Sequence, residues 1–573
     1  MTAMRSSWLR GIRWGVVALL AVYAVMHIAA IWTESINWDE FGIFWRAEKV
    51  ATTGVLVGGG RPGLAVVVLT PFIDGCGSTI EVAHRARLLW ALFTFGIFSG
   101  TFCFVRAAAR SQFAAYDALI GLAAFMLLPV VMRWSLQVRT DQPAIACAIW
   151  GGVALLASRR WPAVAAVAGF AIGVGYLFSQ KAVYVGALVA IVAAGDLFVD
   201  RELRLRREAV RVGLVLAGGA LAIVLYRVFV SNLFDAPPEA VTLEHGFNTF
   251  HWYRHIFGMR MYRGMLPSLW PQIALLVMVI HGFSLALRHR GIAVRRSGVA
   301  LAALVAGIAV ALFHAAAFPY FTITLGVFAA TAIGMGWGSV REYAPRLARY
   351  GGTAAIAILV AVAIPYRIEL MDDTQAIQRT SLDFADALPR TLRGFQSDGA
   401  LVCRRDPSPL PTFVLESIEQ RFAPAVAAAN EAALLAEFRG RPIAFVVETS
   451  RFLQFPTTLQ TFWSTHYLPY AGTVRVAGQR VDGDASSTHE LDLVVSATYR
   501  WLPRAGERLA IEGRILATND TIVLAAGLHT ATLLDTGGGD LILALAIPRE
   551  PIKADFFFGA QSMELTGSRT DWW

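Results

Sequence analysis

The chain has 573 residues, of which 56% are hydrophobic and only 16% are charged. This composition excludes an ordinary soluble globular protein, in which apolar residues make up about 45–50%. A formal net charge of +9 would suit a nucleic-acid-binding protein. The basic residues lie between long apolar segments, however, so the sequence excludes nucleic acid as a partner.

Apolar segments recur from about residue 12 to residue 366 and predict about eleven transmembrane helices, each near the length of ~20 residues that crosses a bilayer. The expected limits are 12–32, 86–105, 114–132, 143–158, 161–178, 182–199, 212–230, 270–287, 298–317, 319–338 and 351–366. The fold class is therefore a mainly α membrane protein.

Arginine-rich connections alternate with connections that carry few cations. The clearest are RELRLRREAVR (201–211), RHRGIAVRR (288–296) and REYAPRLAR (341–349). Such connections stay on the cytoplasmic side. The pattern predicts a cytoplasmic amino terminus, an exported carboxyl terminus and a first span retained as an anchor, because it lacks a small-residue cleavage site.

The alternation divides the chain into a transmembrane domain (1–366) and an exported soluble domain (367–573). Two outer loops are expected in the first, at 33–85 and 231–269. In the second, PAVAAANEAALLAEF predicts a helix, and period-2 patterns predict an α/β part followed by a β-rich part. The predicted strands are ALVCRRD, RPIAFVVE, TVRVAGQRV, LDLVVSATYRW, RLAIEGRILA, DTIVLAAGL and LILALAI.

The four cysteines show no metal-ligand spacing. Cys103 and Cys147 lie inside predicted helices. Cys76 and Cys403 are expected on the oxidising side, where a disulfide between them is one alternative and two free thiols are the other.

Acidic residues at the expected outer surface are the first functional candidates. Asp39 and Glu40 follow the first span, and charges near bilayer depth are costly to keep. A solvated loop is the alternative interpretation. Asp141 opens the fourth span beside Pro143, where helix capping and catalysis are compatible roles.

Cations on the expected outer side depart from the charge pattern. They are Arg85, Arg87, Arg133, Arg139, Lys181 and Arg227, with His251, Arg254, His255, Arg260 and Arg263 in the loop HWYRHIFGMRMYRG. Arginine forms bidentate phosphate contacts and lysine acts as a point charge. The set suggests one pocket for a lipid phosphate, and snorkelling to lipid head groups is the alternative.

These features resemble the polytopic, lipid-dependent glycosyltransferases of the GT-C superfamily, especially protein O-mannosyltransferases and lipid A aminoarabinose transferases. Asp39-Glu40 matches the acids of the family's first outer loop, and Asp141 matches an acid at the outer start of the fourth helix. The segment GRPGLAVVVLTPF has Gly63 where relatives often have a second proline. Gly173 to Lys181 matches a glycine-to-lysine turn.

The resemblance implies an inverting transfer of a sugar from a polyprenyl phosphate to an acceptor hydroxyl outside a bacterial cytoplasmic membrane. It implies Asp39 as general base, Glu40 as second choice and Asp141 as an orienting acid. The expected phosphate-binding residues are Arg85, Arg139, Lys181, Arg254, His255, Arg260 and Arg263. No cofactor or metal is expected, although the carboxylates could hold a divalent ion. The acceptor could be a glycan, a lipid or a protein.

Three other functions stay open at this stage: a transporter or flippase for a lipid-linked sugar, a glycan ligase or polymerase, and a non-catalytic scaffold. In the soluble domain, Trp463, His466 and Tyr467 could form a sugar-stacking surface, with a buried aromatic cluster as the alternative.

Overall fold

The computed structural model describes residues 14, 17–18, 21–56, 63–199, 205–234, 269–288, 292–313, 321–369, 372–396, 400–404, 427–449, 452 and 455–550. Its first part is helical. The helices are α1 (Ala21–Trp32), α2 (Trp38–Thr53), α3 (Leu64–Ile73), α4 (Thr79–Ala109), α5 (Ala114–Met126), α6 (Pro129–Trp134), α7 (Asp141–Ala157), α8 (Val164–Phe178), α9 (Ala182–Val199), α10 (Leu205–Leu233), α11 (Trp270–Leu287), α12 (Ile292–Phe313), α13 (Thr322–Tyr343) and α14 (Gly352–Glu369).

Helices occur at all eleven predicted positions, but six of those described are long and apolar enough to cross a membrane. These six lie in α4, α10, α11, α12, α13 and the segment Leu347–Ile368 that contains most of α14. The other apolar helices are shorter, with 10–17 residues. The chain therefore has the helices of a multi-pass membrane protein, while the number of eleven spans stays a prediction.

The prediction of the third span as one continuous helix is wrong. Over 114–132 the chain forms α5, then an extended Leu128 with φ −70° and ψ 121°, then α6 beginning at Pro129. Proline disfavours helical backbone at the residue before it, which explains the break. Gln142 spans the turn that follows, because its amide donates to the carbonyls of Trp134 and Gln137 at 3.0 and 2.9 Å.

The segment expected as an outer loop, 33–85, is largely helical. It contains α2 and α3, and α4 already begins at Thr79. The backbone N–H of Gly63 donates to the Tyr226 hydroxyl at 2.9 Å, so the start of α3 is fixed to α10. The first acids therefore belong to a packed helical hairpin.

The soluble part combines helices and two sheets. Its elements are α15 (Ala376–Ala387), β1 (Arg393–Phe395), α16 (Ala427–Gly440), β2 (Ile443–Val447), α17 (Thr457–His466), β3 (Tyr467–Ala471), β4 (Val474–Gly483), β5 (Thr488–Leu493), β6 (Ala497–Pro503), β7 (Leu509–Ile511), β8 (Arg514–Leu516), β9 (Thr521–Leu524), β10 (Gly527–Leu533) and β11 (Gly537–Leu543). The helix predicted over PAVAAANEAALLAEF is confirmed as α16, within its described residues.

One sheet has the strand order β1-β2-β4-β11-β6-β9, with β3 also paired to β4, and the other has the order β5-β10-β7-β8. β1 and β2 are parallel and the remaining pairs are antiparallel. The strand predicted at ALVCRRD is wrong, because its described part contains a 3-10 turn at Val402–Arg404. LDLVVSATYRW forms two strands, β5 and β6, which lie in different sheets.

The soluble part packs directly on one end of the helical bundle. The apolar core of the bundle is continuous with Leu382 of α15 and Phe445 of β2. Asp386 of α15 accepts a hydrogen bond from the Thr79 backbone N–H at 2.7 Å, at the first turn of α4. A disulfide joins Cys76 to Cys403, with 5.4 Å between the Cα atoms. The disulfide alternative is therefore the one that the structure contains.

Candidate functional site

Asp39 and Glu40 occupy the first turn of α2, where a capping box fixes them. Asn37 accepts a hydrogen bond from the Asp39 backbone N–H at 2.9 Å. The Glu40 carboxylate accepts the Asn37 backbone N–H at 2.8 Å. This reciprocal pairing satisfies two donors at the helix start and sets the direction of both acids.

Glu40 turns inward and is fully buried against Arg87 of α4. Its carboxylate accepts Nε of Arg87 at 2.9 Å and an Nη of Arg87 at 2.7 Å. It also accepts the Val138 backbone N–H at 2.9 Å. With the Asn37 contact, the carboxylate receives four hydrogen bonds, so Glu40 joins α2 to α4 and to the turn before α7.

Arg87 also organises the segment before α2. Its two Nη atoms donate to the carbonyls of Ile31, Glu34 and Ser35 at 3.3, 2.6 and 2.9 Å. The segment 33–36 has no regular secondary structure after its first turn. A buried guanidinium thus supplies hydrogen-bond donors to three carbonyls of this irregular backbone.

Asp39 points away from that pair and towards solvent. Its side chain is 43% exposed, and its Oδ2 accepts an Nη of Arg139 at 2.7 Å. Arg139 itself is nearly buried, in the turn between α6 and α7. Asp39 is thus an accessible carboxylate held beside a fixed cation.

Asp141 forms the second acid–cation pair, two residues after Arg139. Its Oδ2 accepts Lys181 Nζ at 2.8 Å, and its Oδ1 accepts the Ser179 hydroxyl at 3.2 Å. The Lys181 ammonium also lies 5.7 Å from the centroid of the Phe321 ring. Asp141 is the first residue of α7, and the N-cap residue before it, Thr140, makes no side-chain capping bond. The Asp141 side chain bonds to the turn between α8 and α9.

In addition to the buried Glu40, the structure joins four of the predicted site residues in two ion pairs. Asp39 pairs with Arg139, and Asp141 pairs with Lys181. Arg85 does not join them, because it is exposed on α4 and pairs with Glu81 one turn earlier. The remaining predicted phosphate-binding residues lie outside the described residues; they are Arg254, His255, Arg260 and Arg263. In the part of the chain that is described, no group of three or more His, Cys, Asp or Glu side chains is arranged to hold a metal.

Two kinds of residue were missed from the predicted site. Arg87 was noted as an outer cation, but its pairing with Glu40 depends on a contact 47 residues away in sequence. Thr374, Gln375 and Gln378 contact the backbone before α2. They come from the soluble part, and uncharged side chains in a separate domain give no sequence signal of this role.

Trp463 and Tyr467 belong to a buried aromatic cluster. Trp463 stacks on Phe395 at 5.8 Å between ring centroids and lies 4.3 Å from Phe452. Trp463 and Tyr467 are almost fully buried, and His466 is only marginally accessible. The structure therefore supports the core alternative over a sugar-stacking surface.

No protein-family model matches the chain, and no curated protein matches it in sequence. Among solved structures, it is similar to ArnT from Cupriavidus metallidurans bound to undecaprenyl phosphate, with a TM-score of 0.51 and 16% identity over 80% of this chain and 97% of that chain. The apo form of ArnT gives a TM-score of 0.52 and 15% identity, over 82% and 98% of the two chains.

A weaker likeness links the chain to the oligosaccharyltransferase AglB from Archaeoglobus fulgidus. It has a TM-score of 0.41 and 11% identity, over 90% of this chain and 76% of that chain, which is too distant to support an inference. At these identities the ArnT comparison establishes a shared fold. The GT-C-type fold expected from the sequence is thereby confirmed.

Proposed function

We propose that the chain is an inverting glycosyltransferase that moves a sugar from a polyprenyl-phosphate donor to an acceptor hydroxyl at the outer face of the membrane. One observation carries the proposal. The exposed carboxylate of Asp39 lies beside the fixed cation Arg139, and Arg139 is two positions in sequence before Asp141, which pairs with Lys181. Acid and cations occur together at the end of the bundle that the soluble part covers. The structure of ArnT bound to undecaprenyl phosphate shares this fold.

Asp39 acts as the general base. It accepts the proton of the acceptor hydroxyl while the hydroxyl oxygen forms a bond to the anomeric carbon. The bond from that carbon to the phosphate oxygen breaks, and its electron pair leaves with the polyprenyl phosphate. A single displacement of this kind inverts the anomeric centre.

Arg139 and Lys181 stabilise the negative charge that develops on the leaving phosphate. Both are held by carboxylates, so their positions are set before the donor binds. Arg254, His255, Arg260 and Arg263 complete the phosphate site in the proposal. Asp141 orients Lys181.

Glu40 has a positioning role in place of the second-choice base implied by the resemblance. Its carboxylate already accepts four hydrogen bonds inside a fully buried site. Accepting a proton would break the pairing with Arg87 in a region that excludes water. Glu40 therefore directs the neighbouring Asp39 through the shared first turn of α2.

The outer-face location is supported by the bond between Cys76 and Cys403. Disulfides persist in oxidising compartments and are rare in the cytosol. Both cysteines belong to segments that the arginine pattern also assigns to the outside. The proposal accordingly has the amino terminus in the cytoplasm of a bacterial cell and the soluble domain outside its inner membrane.

Purified protein in lipid vesicles would be assayed with a panel of radiolabelled polyprenyl-phosphate sugars and with glycan, lipid and peptide acceptors. We expect Asp39→Asn to lower kcat by about 100-fold or more, since a general base contributes ~10²–10⁴-fold. Asp74→Asn is the matched control, because Asp74 is an exposed acid in the same hairpin. EDTA is expected to leave turnover unchanged.

The outcomes separate the open alternatives. Normal turnover by Asp39→Asn would remove Asp39 as the base. Transbilayer movement of the donor without any transfer would favour a transporter, and transfer restricted to lipid-linked oligosaccharides would favour a ligase or polymerase. Retention of the donor's anomeric configuration, determined by NMR on the product, would contradict single displacement.

A further inference from the structure

The soluble part holds the backbone of the segment that leads into the site. The Ser35 N–H donates to the Thr374 hydroxyl at 2.9 Å, and the Gln375 N–H donates to the Thr33 carbonyl at 3.0 Å. These contacts connect residues about 340 positions apart in sequence. The segment 33–36 therefore lies between Arg87 of the membrane bundle and the residues that begin α15.

Gln378 makes the most specific of these contacts. Its Oε1 accepts the Ile36 N–H at 2.6 Å, and its Nε2 donates to the Ile36 carbonyl at 2.8 Å. A single amide thus satisfies both polar backbone groups of one residue, as a neighbouring strand would. Gln378 and Ile36 are fully buried, so water is not available to replace either bond.

Ile36 directly precedes the capping residue Asn37, and Asp39 lies two positions after Asn37. The direction of the first turn of α2 depends on where Asn37 sits, because the Asn37 side chain and backbone both bond to that turn. Fixing Ile36 therefore fixes the entry to α2. Loss of that bond would loosen the turn that carries Asp39, although Glu40 still ties this turn to Arg87. The Arg139 backbone stays bonded to Trp90 and Lys181 stays paired with Asp141, so both cations remain at the site.

We infer that Gln378 is a positioning residue for Asp39, by which the soluble domain keeps the base aligned with the donor site. This inference rests on the proposed function. It assigns the soluble domain a part in the chemical step: the domain completes the support of the base from the side opposite Arg87. The expected consequence is a change in kcat with little change in donor binding.

The test compares Gln378→Leu with Ser381→Ala in full-length protein. Leucine nearly preserves the volume of glutamine and removes both bonds to Ile36. Ser381 is a buried residue one turn further along α15, and its hydroxyl bonds to Ile377 and Thr473 within the soluble part. The control therefore removes buried hydrogen bonds from the same helix without touching the segment 33–36.

We expect Gln378→Leu to lower kcat by about 10- to 100-fold with KM for the polyprenyl-phosphate sugar changed by less than about threefold, because small misplacements of a reacting group have effects of this size. Ser381→Ala should keep kcat within about twofold at a comparable fall in Tm. An unchanged kcat in Gln378→Leu, or equal losses in the two variants, would overturn the inference.

Hydrogen–deuterium exchange supplies a measurement that does not depend on activity. Peptides covering 33–41 should exchange faster in Gln378→Leu than in the wild type, and Ser381→Ala should match the wild type there. Equal exchange in all three proteins would refute the role of Gln378. If the wild type transfers no sugar from any donor, the proposed function fails, and the exchange result alone decides whether Gln378 holds this segment.

Discussion

At the scale of single residues, the buried pair of Glu40 and Arg87 decides how the site is built. Neither side chain is accessible to solvent, and each charge has the other as its main compensation. Burying two charges is expensive, so such a pair contributes little net stability when intact. Its value is geometric, because it ties α2, α4 and the turn before α7 into one arrangement.

Removing one member of this pair should be strongly destabilising. We expect Arg87→Met to lower the stability of the folded protein by about 3–5 kcal/mol, since it leaves a buried carboxylate without its partner. Arg85→Met is the control, because Arg85 is exposed two residues earlier on the same helix. Thermal unfolding in detergent measures both, and similar Tm values for the two variants would contradict the assignment.

A lysine should not restore the arrangement. Arg87→Lys keeps the charge but has one ammonium in place of the planar fork that bonds to Glu40 and to three carbonyls. The double variant Arg87→Met with Glu40→Gln is expected to unfold at a higher temperature than Arg87→Met alone. If the double variant unfolds at a lower temperature, the penalty does not come from the unpaired carboxylate.

Glu34 makes the stability of the folded protein depend on pH. Burial raises the pKa of its carboxyl from 4.5 to about 7, with Arg87, Arg133 and Arg367 opposing the shift and Glu40 adding to it. Its Oε2 has no hydrogen-bond partner among the described residues. The folded state thus binds this proton more tightly than the unfolded state, and stability falls as pH rises from about 4.5 to about 7.

We therefore expect Glu34→Gln to raise the Tm at pH 8, where the wild type must keep a buried charge. The effect is on the order of 3 kcal/mol at most, and it should shrink towards zero as the pH is lowered to about 4.5. Thermal unfolding across this pH range is the measurement, with Glu81→Gln as an exposed control in the first turn of α4. A constant Tm difference from pH 5 to pH 8 would show that the carboxyl does not titrate in this window.

At the scale of elements, glycines set how closely the helices approach. In α10, a Cβ added at Gly218 would overlap the backbone carbonyl of Ala166 in α8, whereas a Cβ at Gly213 would meet nothing within 4 Å. The same crossing places Gly169 of α8 against the backbone of Val215. Small residues that allow close backbone approach are a general feature of helix pairs in membranes.

The two α10 glycines form a matched pair for testing this contact. Gly218→Ala should lower the Tm, because backbone atoms of α8 have to move away. Gly213→Ala should leave the Tm unchanged or raise it slightly, since alanine is favoured over glycine by up to ~1 kcal/mol in a helix. Thermal unfolding in one detergent compares them, and equal shifts would mean that this crossing is looser than described.

At the scale of the whole molecule, local patterns and distant contacts were predictable to different degrees. The helix positions followed from apolar segments, because each segment interacts with its surroundings largely by its own composition. Asp39 and Asp141 were identified as candidates from short motifs and their common side.

Contacts between distant parts of the chain were not predictable. The different environments of the neighbours Asp39 and Glu40 come from Arg139 and Arg87, which lie far from them in sequence. The sheet pairings of β5 and β6 depend on β10 and β11, and the pattern LDLVVSATYRW alone suggests one strand. Period-2 alternation predicts a strand and its buried face, but it does not identify the strand with which it pairs.

The disulfide is a covalent bond among these long-range contacts, and it most directly tests the arrangement of the molecule. Cys76 and Cys403 are separated by 327 residues, and their bond links the hairpin that carries Asp39 to the soluble part. Cross-links that close long loops are expected to stabilise by roughly 2–4 kcal/mol or more. The bond should therefore restrain separation of the soluble part from the site.

We expect protein isolated without reductant to react with maleimide at Cys103 and Cys147 alone after denaturation, and at all four cysteines after reduction. Cys403→Ser should lower the Tm and reduce transfer activity in the assay proposed above, and Cys103→Ser is the control because that cysteine is free. Mass spectrometry of the labelled peptides reads out the pairing. Labelling of Cys76 without reduction would place the two cysteines apart in the isolated protein, and it would remove the main physical support for an exported soluble domain docked over the site.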